Sequence, residues 1–252
     1  MAGRLTETLH RILPVAAGLA ALLLLWEGGV WLLDVPVYVL PGPFAILGTM
    51  VDNAGPLGAA VQITLGEALA GFVIGSLLGL SIAIVLVLAP PLETALLPLV
   101  VMLNSVPSVA FVPLALIWFG LGIASKIALA SLAVSFAVLL NAIQGLKRPE
   151  QEAVDLMRSF GAGRLGILWR LRLPAAMPSI VTGLRVGLAR STIAVIVAEM
   201  MGAYAGIGQV IYQATAQIDY LVVWAAVFLS SLGSLALYGL LTLIDGRLVW
   251  WR

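Results

Sequence analysis

The sequence predicts an all-α membrane protein with six transmembrane helices, and three observations carry that reading. Composition is the first: 62% of the 252 residues are hydrophobic and 10% are charged, against about 45–50% and about 25% in a soluble domain, and the mean hydropathy is +1.13. The second is length, because six apolar stretches match the ~17–25 residues that cross a bilayer as a helix. They cover residues 13–33, 65–88, 96–118, 127–143, 182–201 and 221–244. The third is the placement of basic residues, which collect on the cytoplasmic side of membrane proteins. If the spans alternate, Arg4 and Arg11, then Lys147, Arg148, Arg158, Arg164, Arg170 and Arg172, and finally Arg247 and Arg252 share one side. Lys126 stands alone on the other, and Arg185 and Arg190 lie inside span five. Both termini and residues 144–178 are therefore expected in the cytoplasm, and residues 34–63 and 202–220 outside.

The first apolar run is longer than the ~7–15 residues of a secretory signal core and no small-residue cleavage site follows it, so it is expected to remain as a span. Six spans leave little chain for a separate soluble unit, and residues 1–252 are expected to form a single transmembrane domain. A net charge of +1 supplies no field for nucleic acid. Cysteine is absent, which excludes disulfides, thiolate metal sites and cysteine nucleophiles.

Span two carries Gly66, Gly71, Gly75 and Gly79, a spacing that lets helices approach closely. The turn after it, "APPLET", holds no basic residue, so its side of the membrane rests on alternation alone. Span three contains Pro98, Pro107 and Pro113, with Asn104 and Ser105 just before the middle proline. Proline removes a backbone donor, and at membrane depth the freed carbonyls are tolerated where neighbours or a wet cavity satisfy them. This points to an interrupted helix beside a pathway, with Asn104, Ser105 and Pro107 as candidate lining residues.

Buried charge is scarce, and each ionisable group at a span centre costs about 2.5–3.5 kcal/mol on insertion scales. Glu27, Glu67 and Glu199 lie near outer ends of spans. Arg185 is near enough to the inner end to snorkel to the interface. Arg190 is five residues deeper, roughly 7–8 Å along a helix. Its own face carries Val186, Gly187, Ile193 and Ala194, none of which can pair with it, so its partner must come from another helix, another subunit, water or a solute.

Between spans four and five, "SFGAGRLG" holds the spacing G-x-G-x-x-G at Gly161, Gly163 and Gly166. A dinucleotide fingerprint needs a strand before it and an acid about 20 residues after it; neither is present. What precedes is "PEQEAVDLMRSF", with acids early and Arg158 late as the helix dipole favours. Pro149 suits a first helical position. Ala153, Leu156, Met157 and Phe160 fall at i, i+3, i+4 and i+7, the pattern of a short amphipathic helix, and Gly161 is placed to end it in the left-handed conformation. A helix with an apolar stripe and no partner within its own loop needs a groove elsewhere, and mixed acids and bases on its polar face favour a protein groove over an anionic bilayer surface.

On these residues the chain resembles the membrane-spanning permease subunits of bacterial ATP-binding-cassette importers. "EAVDLMRSFGAGRLGILWRLRLPAAMPSIVTGLRVGL" is similar to the EAA loop of that family, with Glu152, Ala153, Gly161, Leu173 and Pro174 at the positions of its motif and Val154 in place of the second alanine. "LPGPFAILGTM", "VPSVAFVPLALIWFGLGIASKI" and "AEMMGAYAGIG" resemble the subgroup that serves nitrate, sulfonate and taurine uptake. Two features depart from it: the arginines usual after span two are missing from "APPLET", and Arg190 stands where an apolar residue is usual.

The resemblance implies the type I importer permease fold in the bacterial inner membrane, in a six-span subunit that does no covalent chemistry itself. It implies pairing with a second copy, two ATPase subunits in the cytoplasm that bind Mg-ATP, and an extracytoplasmic solute-binding protein. Glu152, Ala153, Leu156, Met157, Phe160 and Gly161 would then form the coupling helix, and Arg190 and Glu199 would join the pathway candidates, Glu199 at the outer gate or in contact with the binding protein. The solute would be nitrate, a sulfonate, taurine or a related small compound.

The residues exclude several other functions. Neither Lys126 nor Lys147 follows a glycine, so no Walker A motif exists for ATP hydrolysis on this chain. The single histidine, His10, supports neither a zinc site nor a serine-histidine relay in the spans, and no cofactor is expected on the chain. An ATP-independent channel or secondary transporter is the alternative, and it would call for a chain of embedded acids that the sequence hardly offers.

Overall fold

The computed structural model describes residues 2–248. Arg252 lies outside them, and so do the side chains of Arg4, His10, Arg11 and Arg247. The described residues contain helices and turns and no strand. Eleven α-helices follow one another: α1 Ala2–Leu32, α2 Pro43–Asp52, α3 Ala54–Leu88, α4 Pro90–Ser105, α5 Val112–Phe119, α6 Ile123–Leu146, α7 Gln151–Ser159, α8 Arg164–Ile167, α9 Leu173–Met201, α10 Ile207–Ala216 and α11 Tyr220–Leu248. A 3₁₀ turn, Ser108–Phe111, precedes α5, and a π turn, Leu168–Arg172, joins α8 to α9.

Five of these helices, with α8, the π turn and α9 taken as one, are long and apolar enough to cross a bilayer; α4 and α5, bent by 91° at their break, bring the number to six. The expected span at 96–118 is thus two helices rather than one. Pro107 cannot donate to the ladder, and Val106 and Pro107 both adopt extended ψ values, 126° and 127°, so the α-helix ends at Ser105 and restarts in a new direction. The expected span at 182–201 is the C-terminal half of a helical rod that begins at Arg164.

The centre of the fold is a three-helix core of α3, α6 and α9. Along α3 the glycines are the contact points. A side chain at Gly71 would strike Ala130, one at Gly75 would strike Ser131 and Val134, and one at Gly79 would strike Ser135 and Leu139. Numbers rise together, so α3 and α6 run parallel. Gly183 and Gly187 of α9 meet Asn141 and Val134 in the opposite sense, so α9 runs antiparallel to both. Apolar surface drives little association inside lipid, and close backbone approach through small residues takes its place. Gly66 has open space around it and is not part of this seam.

Apolar clusters close both ends of the core. Leu86, Leu139, Leu146, Leu168 and Ile180 pack at the end that carries the basic loop. Ile46, Leu57, Ile207 and Ala225 pack at the other. There α1 is attached: Trp26 lies 5.8 Å from Phe228 and 6.3 Å from Trp224 between ring centroids, and the Glu27 carboxylate accepts the Phe44 N–H, 3.3 Å, at the start of α2. The described side chains of α1 before Leu25 are exposed.

Candidate functional site

Arg190 points from α9 toward the break in span three, where its Nη1 donates to Asn104 Oδ1 at 3.0 Å. The two residues line a cavity of about 210 Å³ together with Ser105, Pro107 and Ser108 from the break, Phe111 from the 3₁₀ turn, Phe136 from α6 and Ile193 from α9. The lost helical continuity is what makes this space: a straight helix through residues 104–112 would fill it with its own turns. Arg190 is exposed to the cavity, and Asn104 is half-buried. One cation, a carboxamide and two hydroxyls thus face a space otherwise walled by aromatic and aliphatic groups, the chemistry of a site for a small polar or anionic solute.

Of the sequence candidates, Asn104, Ser105, Pro107 and Arg190 meet here. Glu199 does not. It is buried to 1% exposure at the far end of α9, where its carboxylate accepts Thr64 Oγ1 at 2.8 Å and the Gly208 N–H at 2.8 Å. Thr64 in turn accepts the Ile207 N–H at 2.8 Å. The first turn of α10 is therefore seated on a carboxylate, as the dipole of a helix N-terminus favours. Gly206, at φ +109°, has no room for a side chain against Glu199. Glu199 thus holds the loop between α9 and α10 and does not touch the cavity.

Lys126 was legible only as a solitary outer-side charge. It is buried to 1% exposure, and its ammonium donates to the carbonyls of Leu121, Gly122 and Gly202, the last at 2.7 Å. It fastens the turn after α5 to the end of α9. Glu67, Lys126 and Glu199 give one buried ionisable residue to each of the three core helices. Nothing in the local sequence signals that grouping, since the three are brought together only by the register of α3, α6 and α9.

Arg185 corrects another expectation. It does not snorkel: it forms an ion pair with Asp245 of α11, an acid buried to 6% exposure. An acid in the last turn of the last helix was the available signal. At the same end, Lys147 pairs with Glu93 of "APPLET", which places that turn beside the basic loop although it has no basic residue of its own.

In that loop α7 begins at Gln151, after an extended Glu150, so Pro149 stands before the helix rather than in its first turn. Its end follows the residues closely. Gly161 adopts φ +80°, its N–H donates to the Arg158 carbonyl at 2.9 Å, and the Ala162 N–H donates to the Met157 carbonyl at 3.0 Å, the paired bonds of a Schellman motif. Val154 packs inward at 3% exposure. The stripe faces away from the chain: Leu156 is 59% and Phe160 83% exposed, with Ala153 and Met157 half-buried and Glu152 exposed in the first turn.

Candidate spans around a cavity that holds a cation, with an amphipathic helix exposed at one end, are the features of a membrane transport subunit. The chain belongs to the family of binding-protein-dependent transport system inner membrane components, whose model matches residues 59–250. It is a multi-pass permease subunit of an ATP-binding-cassette importer and is not itself catalytic. It is 32% identical to a probable ABC transporter permease protein of Haemophilus influenzae, over 95% of this chain and 98% of that one. It is 32% identical to the riboflavin transport system permease protein RibX of Chloroflexus aurantiacus, over 95% and 90%. With the taurine transport system permease protein TauC of Escherichia coli it shares 34% identity, over 78% and 74%. Among solved structures, a chain of the MetNI methionine ABC transporter superposes with a TM-score of 0.65 at 20% identity, covering 79% of this chain and 96% of that one; this likeness is one of fold.

Proposed function

We propose that the chain is the pathway-forming half of an importer for a small anionic solute, and that Arg190 contacts that solute during passage. Two copies enclose the pathway, and both termini lie in the cytoplasm. The apolar stripe of α7 seats in a cleft of each of two ATPase subunits, where Mg-ATP binds, and an extracytoplasmic binding protein delivers the solute to the opposite end. Nitrate, a sulfonate, taurine or a related compound fits the reading.

The observation that carries it is the single hydrogen bond of Arg190 in the cavity at the helix break. A guanidinium has five donors, and among the described residues Asn104 accepts one. The remaining donors face a space with two hydroxyls and no carboxylate. An oxyanion would satisfy them with charge-assisted hydrogen bonds.

Reconstitution of the chain with its ATPase and binding protein tests this. Arg190→Gln is expected to assemble and to keep binding-protein-stimulated ATP hydrolysis, while uptake of the anionic solute falls at least tenfold, the effect of losing about 1.4 kcal/mol of stabilisation in the pathway. Unchanged uptake removes Arg190 from the mechanism, and failure to assemble makes the Arg190–Asn104 bond a structural pair.

A further inference from the structure

Three arginines converge on a second cavity, of about 130 Å³, at the basic end of the protein. Its apolar wall is the turn between α3 and α4, formed by Val87, Leu88 and Pro90, together with the buried Val154 of α7. Arg158 reaches it from the last turn of α7, Arg164 from the first residue of α8 and Arg172 from the end of the π turn. Arg158 pairs with the exposed Asp155 at 2.9 Å. Arg164 and Arg172 have no hydrogen bond or ion pair with any described residue.

This convergence runs against electrostatics. Like charges 4 Å apart repel by about 1 kcal/mol in water and by more where solvent is partly displaced. Ordinary helix geometry would not produce it either. At 3.6 residues per turn, eight residues leave Arg172 about 80° round the helix from Arg164. The π turn between them takes an extra residue into its hydrogen-bonded ring, which winds that offset back and brings both guanidiniums to the same side.

We propose that this cavity binds a phosphate group. Guanidinium forks match phosphate oxygens in pairs. Three of them around one point suit a tetrahedral group with several oxygens better than a planar carboxylate with two. A cavity of about 130 Å³ has room for a phosphate group, since a single water needs only about 10–15 Å³ on the same measure. Two sources share this chemistry: the headgroup of an anionic phospholipid and free inorganic phosphate. Leu165 and Trp169, 62% and 66% exposed beside the arginines, supply the apolar and interfacial aromatic surface that accompanies a lipid. A bound phosphate would tie α7 to the α3–α4 turn and to the root of α9, three elements that otherwise meet there through apolar contact and repelling charge.

The test is the thermal midpoint of the full chain, purified in a non-ionic detergent, with added phosphatidylglycerol, phosphatidylcholine, inorganic phosphate or sodium chloride at matched ionic strength. Phosphatidylglycerol is expected to raise the midpoint by about 5 °C over phosphatidylcholine, as a ligand near a hundred times its Kd does for a domain of this size. Arg164→Gln with Arg172→Gln abolishes that rise. An equal rise with inorganic phosphate assigns the site to free phosphate, and a rise with the lipid alone assigns it to the headgroup. If the double variant does not yield folded protein, Arg172→Lys, which keeps the charge and loses the fork, is expected to retain less than half of the rise. The proposal is overturned if neither phosphate probe exceeds its control, or if the rise persists undiminished in the variants. It is equally overturned if the arginines prove to matter only for capture of the purified ATPase, with no response to phosphate.

Discussion

Lys126 and Arg190 are both cations within the spanning bundle, and their surroundings assign them opposite work. Lys126 is fully enclosed and its donors are committed to three carbonyls, whereas Arg190 is open to a cavity and holds one acceptor. Replacing Lys126 by Met keeps an unbranched side chain one atom shorter, without the ammonium, and strands those carbonyls. The expected cost is about 2–4 kcal/mol, from the penalty for unsatisfied buried groups, read as a lowered midpoint of denaturant unfolding in detergent. A midpoint at the unsubstituted value would show that the carbonyls find other donors. Arg185 and Asp245 form a pair that can be separated by a double-mutant cycle. Arg185→Met leaves a buried carboxylate uncompensated and is expected to cost about 3–5 kcal/mol, while adding Asp245→Leu should recover most of it. Equal losses in the single and double variants would count against a coupled pair.

At the scale of elements, the glycines of α3 separate propensity from packing. Gly66 has open space, so Gly66→Ala is expected to stabilise the helix by about 0.5–1 kcal/mol. Gly75→Ala places its methyl against the backbone of Ser131 and is expected to destabilise by about 1–3 kcal/mol, as overpacking does. Thermal midpoints that move in the same direction for both would refute the seam. In the basic loop, Gly161 sits at φ +80° with no atom crowding it, so conformation alone requires glycine. Gly161→Val should cost about 1–2 kcal/mol in the left-handed region and splay the end of α7. The measurement is the ratio of transported solute to ATP hydrolysed, expected to fall. Unaltered coupling would detach this turn from energy transfer.

For the whole molecule, the Lys147–Glu93 pair places the turn after α3 and the basic loop at one end, and Tyr204, 80% exposed, stands in the loop that follows the other end of α9. The chain's freedom from cysteine makes the orientation testable without removing native thiols. In intact cells, an impermeant thiol reagent is expected to label Tyr204→Cys and to spare Gln151→Cys. The reverse pattern would invert the proposed topology and with it the place of the ATPase.

Six spans, a basic end, an amphipathic loop helix and its glycine stop could all be read along the chain, because each rests on a local property: run length, charge or periodicity. The Schellman end at Gly161 and the break at Pro107 are of this kind, since the residue type itself dictates the backbone there. What Arg185, Arg190, Lys126 and Glu199 do could not be read in that way. Arg190 finds Asn104 86 positions away and Arg185 finds Asp245 60 positions away, while Glu199 reaches Thr64 across 135. The sequence by itself therefore determined which segments cross the membrane and where the chain turns. The tertiary structure decided which charges hold the bundle and which remain open to a cavity, because inside lipid a polar group must find its partner on a neighbouring helix, and only the packing of α3, α6, α9 and α11 says which neighbour that is.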